Sequence, residues 1–181
     1  MESENWVRNY SVEDKLADGT CVQIRAAGPD DQERLLDLLQ HLSPTSLYSR
    51  FFATRRDFTQ ELVQLANADF KNVVVLLASV QKGDRPQVIG FAAYARPERS
   101  PSHAEMAITI ADAYHHHGVG TLLLEHLTRI ARKAGIAVLE ASALSQNRAA
   151  LTTLAHHGFR AERYQDPNVV YFKKDLLPDT P

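Results

Sequence analysis

Apolar and polar positions alternate along CVQIRAA (Cys21 to Ala27), and this period of two predicts a strand that ends at GPDD, where Asp30 is expected to cap a helix. Leu35, Leu36, Leu38, Leu39 and Leu42 then recur at helical spacing up to Ser43-Pro44, because the residue before a proline is pushed out of the α region. Two further helices are expected over Thr45 to Phe52 and Thr59 to Ala66. NVVVLLASV (Asn72 to Val80) is a β-branched run of strand length, QKGDRP reads as a hairpin turn, and QVIGFAAYARP (Gln87 to Pro97) is the returning strand. AEMAITIA (Ala104 to Ala111) adds a third. The period then changes: Leu123, Leu127, Ile130, Ala131 and Ala134 define one face of a helix that Gly135 ends. IAVLEASAL (Ile136 to Leu144) reads as a buried strand, Asn147 to His157 as a helix stopped by Gly158, and FRAERYQ and VVYFKKDL as two last strands around the turn residues Asp166-Pro167-Asn168.

The resulting order is strand, three helices, three strands, helix, strand, helix, two strands, which predicts a mixed α/β (α+β) sheet in one domain. Three consecutive strands before the crossover helix argue against a doubly wound dinucleotide fold. At 181 residues and 44% hydrophobic content the chain is long enough for one buried core and short for two. A net charge of −2 gives no reason to expect nucleic acid or an anionic membrane as partner. The single cysteine, Cys21, excludes an intrachain disulfide and points to a reducing compartment, and the polar start MESENWVRNY lacks the make-up of a signal peptide. A cytoplasmic protein is expected.

The most informative stretch is ITIADAYHHHGVGTLLLEHL, a strand running through a glycine-bearing turn into an amphipathic helix. Backbone N–H groups at a helix N-terminus lack internal partners, the helix dipole favours negative charge there, and glycines let a phosphate approach closely. Gly118 and Gly120 fit that role. No lysine-serine or lysine-threonine pair follows, which counts against a nucleotide P-loop.

The spacing of His115, Gly118 and Gly120 resembles the Q/R-x-x-G-x-G/A pyrophosphate loop of GNAT-family acetyltransferases, with histidine replacing the usual first residue. NRAALTTLAHHGF (Asn147 to Phe159) is similar to the family's second cofactor segment. DGTCVQIR (Asp18 to Arg25), LSPTSLYSRFF (Leu42 to Phe52) and AEMAITIADAYHHHGVG resemble the bacterial Pat-type protein lysine acetyltransferases. The resemblance implies a single-domain GNAT acyltransferase fold over residues 18–176, with 1–17 as an N-terminal extension and 177–181 as a tail. It implies splayed central strands, one ending near Ala111 and one starting near Ile136, that admit the pantetheine of acetyl-CoA. On that reading the backbone of Ile108, Thr109 and Ile110 pairs with pantetheine amides. The loop residues His115, His116, His117, Gly118, Val119, Gly120 and Thr121 hold the pyrophosphate, and Asn147 holds the pantetheine arm near its thiol end.

Acetyl transfer to an amine needs a proton acceptor, because a lysine pKa is about 10.4. Glu105 is the candidate base: it matches the Pat-type glutamate, and partial burial in an apolar strand is expected to raise its pKa. Leu154 stands where many relatives carry a tyrosine general acid; Tyr114 and Tyr48 are possible substitutes, although a tyrosine is more often a packing residue. Tyr48 and Arg50 lie in the part of the fold that usually borders the acceptor, and Arg50 reads slightly better as a helix-surface arginine. Phe51 and Phe52 read as core, Asp112 and Asp166 as turn residues. Adjacent histidines in the turn point in different directions, so no metal site is expected and the run reads as solvated imidazoles beside a phosphate.

The expected activity is therefore acetyl transfer from acetyl-CoA to a primary amine, with a protein lysine as first choice of acceptor. A small-molecule amine acetyltransferase is the alternative within enzymes. A non-catalytic acyl-CoA-sensing module is the alternative outside them, kept open by His115 and Leu154. A second copy of the chain, giving a homodimer, is left open as a further partner.

Overall fold

The computed structural model describes residues 6–52, 59–162 and 166–176. Eight strands form one mixed sheet, and the elements run β1 (Ser11–Lys15), β2 (Cys21–Ala26), α1 (Gln32–Gln40), α2 (Pro44–Phe51), α3 (Thr59–Ala66), β3 (Val73–Lys82), β4 (Arg85–Ala95), β5 (His103–Ile110), α4 (Val119–Lys133), β6 (Val138–Leu144), α5 (Arg148–His156), β7 (Arg160–Glu162) and β8 (Val169–Asp175). The sheet order is β1-β2-β3-β4-β5-β6-β8-β7, antiparallel except for the central pair β5 and β6. This is the expected mixed α/β architecture. Of the expected strand FRAERYQ, residues 163–165 lie outside the described residues.

β3 reads as a continuous apolar run because both its faces are covered: Val74 to Ala78 are fully buried. Opposite faces of β4 meet different helices. The ideal Cβ position of Gly90 points at Leu123 of α4, whereas its neighbour Phe91 turns the other way, under Arg50 of α2. The core therefore fills two layers, with α4 on one side of the sheet and α2 on the other.

The helix starts follow local chemistry. Ser43 caps α2, its hydroxyl accepting the Ser46 amide at 3.2 Å, and Pro44 occupies the first helical position, where its missing N–H costs nothing. The cap of α1 is corrected by one residue: a 3-10 turn at Pro29–Asp31 intervenes, and Asp31, not Asp30, is buried and accepts the Gly28 amide at 2.8 Å. Gly135 follows α4 with φ 77°, as its place beyond the last turn requires.

Residues 6–8 are helical and β1 pairs with β2 from Ser11↔Arg25 to Lys15↔Cys21. These residues also reach α4. Trp6 stacks edge-on against Tyr10 and lies 4.0 Å beneath Lys133 Nζ, and Val7 is buried in the core. No helix among the described residues is long and apolar enough to cross a membrane.

Candidate active site

β5 and β6 start side by side and then part. Their parallel pairing runs His103↔Val138, Ala104↔Leu139, Glu105↔Glu140 and Met106↔Ala141, and there it stops. Beyond that point β5 pairs only with β4, up to Gly90↔Ile110, and β6 only with β8, up to Leu144↔Val169. The last four residues of β5, Ala107 to Ile110, thus face a gap across which no strand among the described residues supplies hydrogen bonds. Backbone groups in such a gap need a partner. An extended ligand bearing amides meets that need.

The chain leaves β5 directly into the glycine-bearing turn. Gly118 is the N-cap of α4 at φ 88°, a conformation that a side chain disfavours, and His116 also adopts positive φ (63°). Leu122 N–H bonds back to Gly118 O at 3.1 Å, so the amides of Val119, Gly120 and Thr121 have no partner inside the helix. Together with the dipole of the 15-residue helix they favour negative charge at the mouth of the gap. Among the described residues nothing demands glycine at position 120: an added Cβ would meet only Ile110 Cγ1, at an ordinary 3.9 Å.

The three histidines of the turn diverge, with the His115 and His116 rings at 85°. His115 Nε2–H donates to the Ile110 carbonyl at 3.1 Å, so its ring folds back on the end of β5, and His117 Nδ1–H donates to the His115 carbonyl at 2.7 Å. No group of three metal-ligating side chains converges among the described residues. Asn147 caps α5 by accepting the Ala150 amide at 3.1 Å, which leaves its NH2 group as a donor on the β6 side of the gap.

Glu105 sits one pair before the strands part. Its register partner Ala95, with Ala107 and Thr109 further along and Phe91 opposite Thr109, places it on the face of the sheet that α2 covers. The expected partial burial is corrected: Glu105 is exposed, because strand position alone does not decide whether a helix covers a residue. Arg50 is corrected in the opposite sense. Its guanidinium lies 4.9 Å from the Phe51 ring and 5.9 Å from the fully buried Phe91, so it turns in towards the sheet. Burial pulls the Arg50 pKa down, and the carboxylates of Glu61 and Glu105 oppose that pull. Arg50 and Glu105 therefore belong to one electrostatic group. Tyr48 is exposed on α2, and Phe52, expected in the core, is 39% exposed at the left-handed end of that helix. Leu154 is buried in the core, and Tyr114 packs edge-on against His117.

Asp166 behaves as the expected turn residue, accepting the Asn168 amide at 2.8 Å. Asp112 does more than turn the chain. Its Oδ2 accepts the Ser43 amide at 2.7 Å, and its Oδ1 accepts the hydroxyls of Ser43 at 2.9 Å and Ser46 at 2.5 Å. Burial pushes its carboxyl up, but the Ser46 and Ser43 donors and nearby His115 outweigh burial and hold it below the usual carboxylate range. Ser-Pro-x-Ser is legible as a helix start; its partner 66 to 69 residues away leaves no local signal.

Residues 35–159 match the model of the acetyltransferase (GNAT) family. An acetyltransferase of Pseudomonas aeruginosa is 28% identical over 167 residues, which cover 92% of this chain and 86% of that one. Acetyltransferase Pat of Mycolicibacterium smegmatis is 28% identical over 160 residues, 88% of this chain but only 47% of the relative, so the chain spans about half of that protein. The crystal structure of the GNAT domain of S. lividans PAT superposes with a TM-score of 0.82 at 28% identity, covering 91% of this chain and 96% of that domain. A family match over more than half its length, on a sheet that parts at β5 and β6, makes this chain a member of the acetyltransferase (GNAT) family.

Proposed function

We propose that this protein transfers the acetyl group of acetyl-CoA to a primary amine, with a lysine side chain of another protein as acceptor. The gap between β5 and β6, opening onto the uncommitted amides of α4, is the observation that carries the reading. The pantetheine arm of acetyl-CoA fits the gap as a surrogate strand along Ile108, Thr109 and Ile110, and the pyrophosphate of the cofactor fits the amides of Val119 to Thr121 at the end of the turn that His115, His116, His117 and Gly118 form. Asn147 donates to the pantetheine arm from the other side.

In this arrangement the amine nitrogen attacks the thioester carbonyl. A C–N bond forms, the C–S bond breaks, and the amine gives up one proton. Holding both reactants in the gap supplies the orientation that a bimolecular encounter lacks. Glu105, just before the closed end of the gap and open to solvent, takes the proton through water. Arg50, on the same face, keeps a positive charge close to that carboxylate. The departing thiolate is protonated from solvent or from Tyr114, since Leu154 offers no proton.

A lysine acceptor is supported by the Pat-type segments around Leu42 to Phe52 and by the two Pat relatives, and by an acceptor face that lies open beside exposed Tyr48. Acetyl-CoA supply and the exposed free Cys21 fit a cytoplasmic setting. The test has two stages. Excess acetyl-CoA should raise the unfolding temperature, because a ligand bound only to the native state stabilises it. Transfer to folded proteins should then exceed transfer to polyamines, amino acids or aminoglycosides; small amines turned over at roughly 10⁴ M⁻¹ s⁻¹ or faster, with no protein labelled, would replace the lysine acceptor.

A further inference from the structure

We propose that Asp112 is a positioning residue that couples the cofactor loop to helix α2, so that filling the pyrophosphate site orders the acceptor side of the enzyme. The inference rests on the cofactor site proposed above and adds a path from it to α2.

Asp112 stands two residues past the end of β5 and belongs to the turn that leads to Gly118. Its carboxylate spends both oxygens on the other chain segment: the Ser43 amide at 2.7 Å, the Ser43 hydroxyl at 2.9 Å and the Ser46 hydroxyl at 2.5 Å. A negative charge there also suits the N-terminal end of the α2 dipole. The turn is braced on its own side as well. Ala111 N–H bonds Ile89 O at 2.8 Å, Tyr114 N–H bonds Ala111 O at 2.8 Å, and the His115 ring donates to Ile110 O. Displacement of residues 110–115, to which the His117 ring is tied through the His115 carbonyl, is therefore passed to Asp112, and from Asp112 to the start of α2.

Helix α2 needs such a tie. It has eight residues, far below the ~12–15 at which an isolated helix becomes marginally stable, and none of its residues is fully buried. Besides Leu47 and Phe51, which pack partly buried against the core, it is held by the Ser43 cap with Asp112 at one end and by Arg50 over Phe91 at the other. The same short helix carries Tyr48 and Arg50, the acceptor-side candidates. A phosphate that fixes the turn thus removes freedom from α2 without touching it, and by linkage an acceptor that orders α2 tightens the cofactor.

Hydrogen exchange of the full chain with and without saturating coenzyme A tests this. In the wild type, coenzyme A should slow exchange in the loop at residues 115–121 and also slow it at least about fivefold in residues 45–51, the size expected for a modest allosteric coupling. In Asp112→Asn, which cannot accept the Ser43 amide through nitrogen, and separately in Ser46→Ala, the loop should still be protected while the coenzyme-dependent slowing in α2 is lost. Loop protection without α2 protection in the wild type overturns the coupling alone. So does a variant in which α2 exchanges faster by the same factor with and without coenzyme A, which marks a purely structural tie. No protection anywhere, the loop included, overturns the cofactor site itself and the coupling with it.

Discussion

The phenol of Tyr10 lies 2.5 Å from Nδ1 of His126, a residue 116 positions later on the buried face of α4. His126 is 2% exposed, and its Nε2 lies 3.3 Å from Asp14 Oδ2. A carboxylate can only accept, so Nε2 carries the proton, Nδ1 is the acceptor and the Tyr10 hydroxyl donates to it. With Trp6 against Lys133, these contacts clamp residues 6–15 onto the helix whose first turn faces the proposed anion site. Tyr10→Phe leaves Nδ1 buried without a donor and should cost about 1–3 kcal/mol in urea unfolding. An unchanged midpoint would mean that the clamp contributes nothing to stability.

Gly120→Ala separates packing from ligand approach. The added methyl meets Ile110 Cγ1 at 3.9 Å, and alanine favours a helix over glycine, so stability should hold or rise by about 0.5–1 kcal/mol. In the proposed cofactor pose the same methyl stands in the way of the pyrophosphate on the amides, so acetyl-CoA affinity measured by calorimetry should fall at least about tenfold, or ~1.4 kcal/mol. Unchanged affinity would move the phosphate off this turn.

These two sites also show which features the chain discloses by itself. The glycine turn and the strands around it are legible because glycine spacing and hydrophobic period are local signals. β1 is not: SVEDK has a single apolar residue, Val12, which is itself 36% exposed, and the strand exists because β2 offers it an edge. Arg50 and Glu105 exchanged their expected environments for a related reason. Whether a polar side chain on a short helix or strand turns in or out depends on what lies opposite, here Phe91 for Arg50 and open solvent for Glu105. Asp112 looks like any turn aspartate until α2 folds onto it.

Glu105→Gln keeps the size of the side chain and removes its ability to accept the amine proton. Turnover should drop by about 10²–10⁴, the usual contribution of a general base, with acetyl-CoA affinity nearly unchanged because the side chain sits before the gap rather than in it. Steady-state kinetics with the best acceptor, together with calorimetry on acetyl-CoA, give both numbers. Wild-type turnover in the variant would remove Glu105 from the reaction and leave proton transfer to solvent.

Asp31 sets an acid limit on the fold. It is 2% exposed and accepts Arg25 Nη1 and Nη2 at 2.7 and 2.6 Å, Arg34 Nη1 at 2.9 Å and the Gly28 amide at 2.8 Å. Burial alone pushes its carboxyl up, but the Arg25 fork, the Gly28 amide and Arg34 outweigh it and hold the pKa below the usual value. A pKa lower in the folded than in the unfolded chain contributes stability that is fully present above the unfolded value, about 3.9, and is lost as pH falls through the folded value. Asp31→Asn should therefore cost roughly 2–3 kcal/mol at pH 7, less than a fully buried pair because both arginines reach solvent. The gap between wild type and variant should close as unfolding is repeated from pH 5 down through the folded pKa. A gap of constant size across that range would mean that the Asp31 charge does not stabilise the fold, and that the loss comes from packing and hydrogen bonds that the neutral side chain also fails to make.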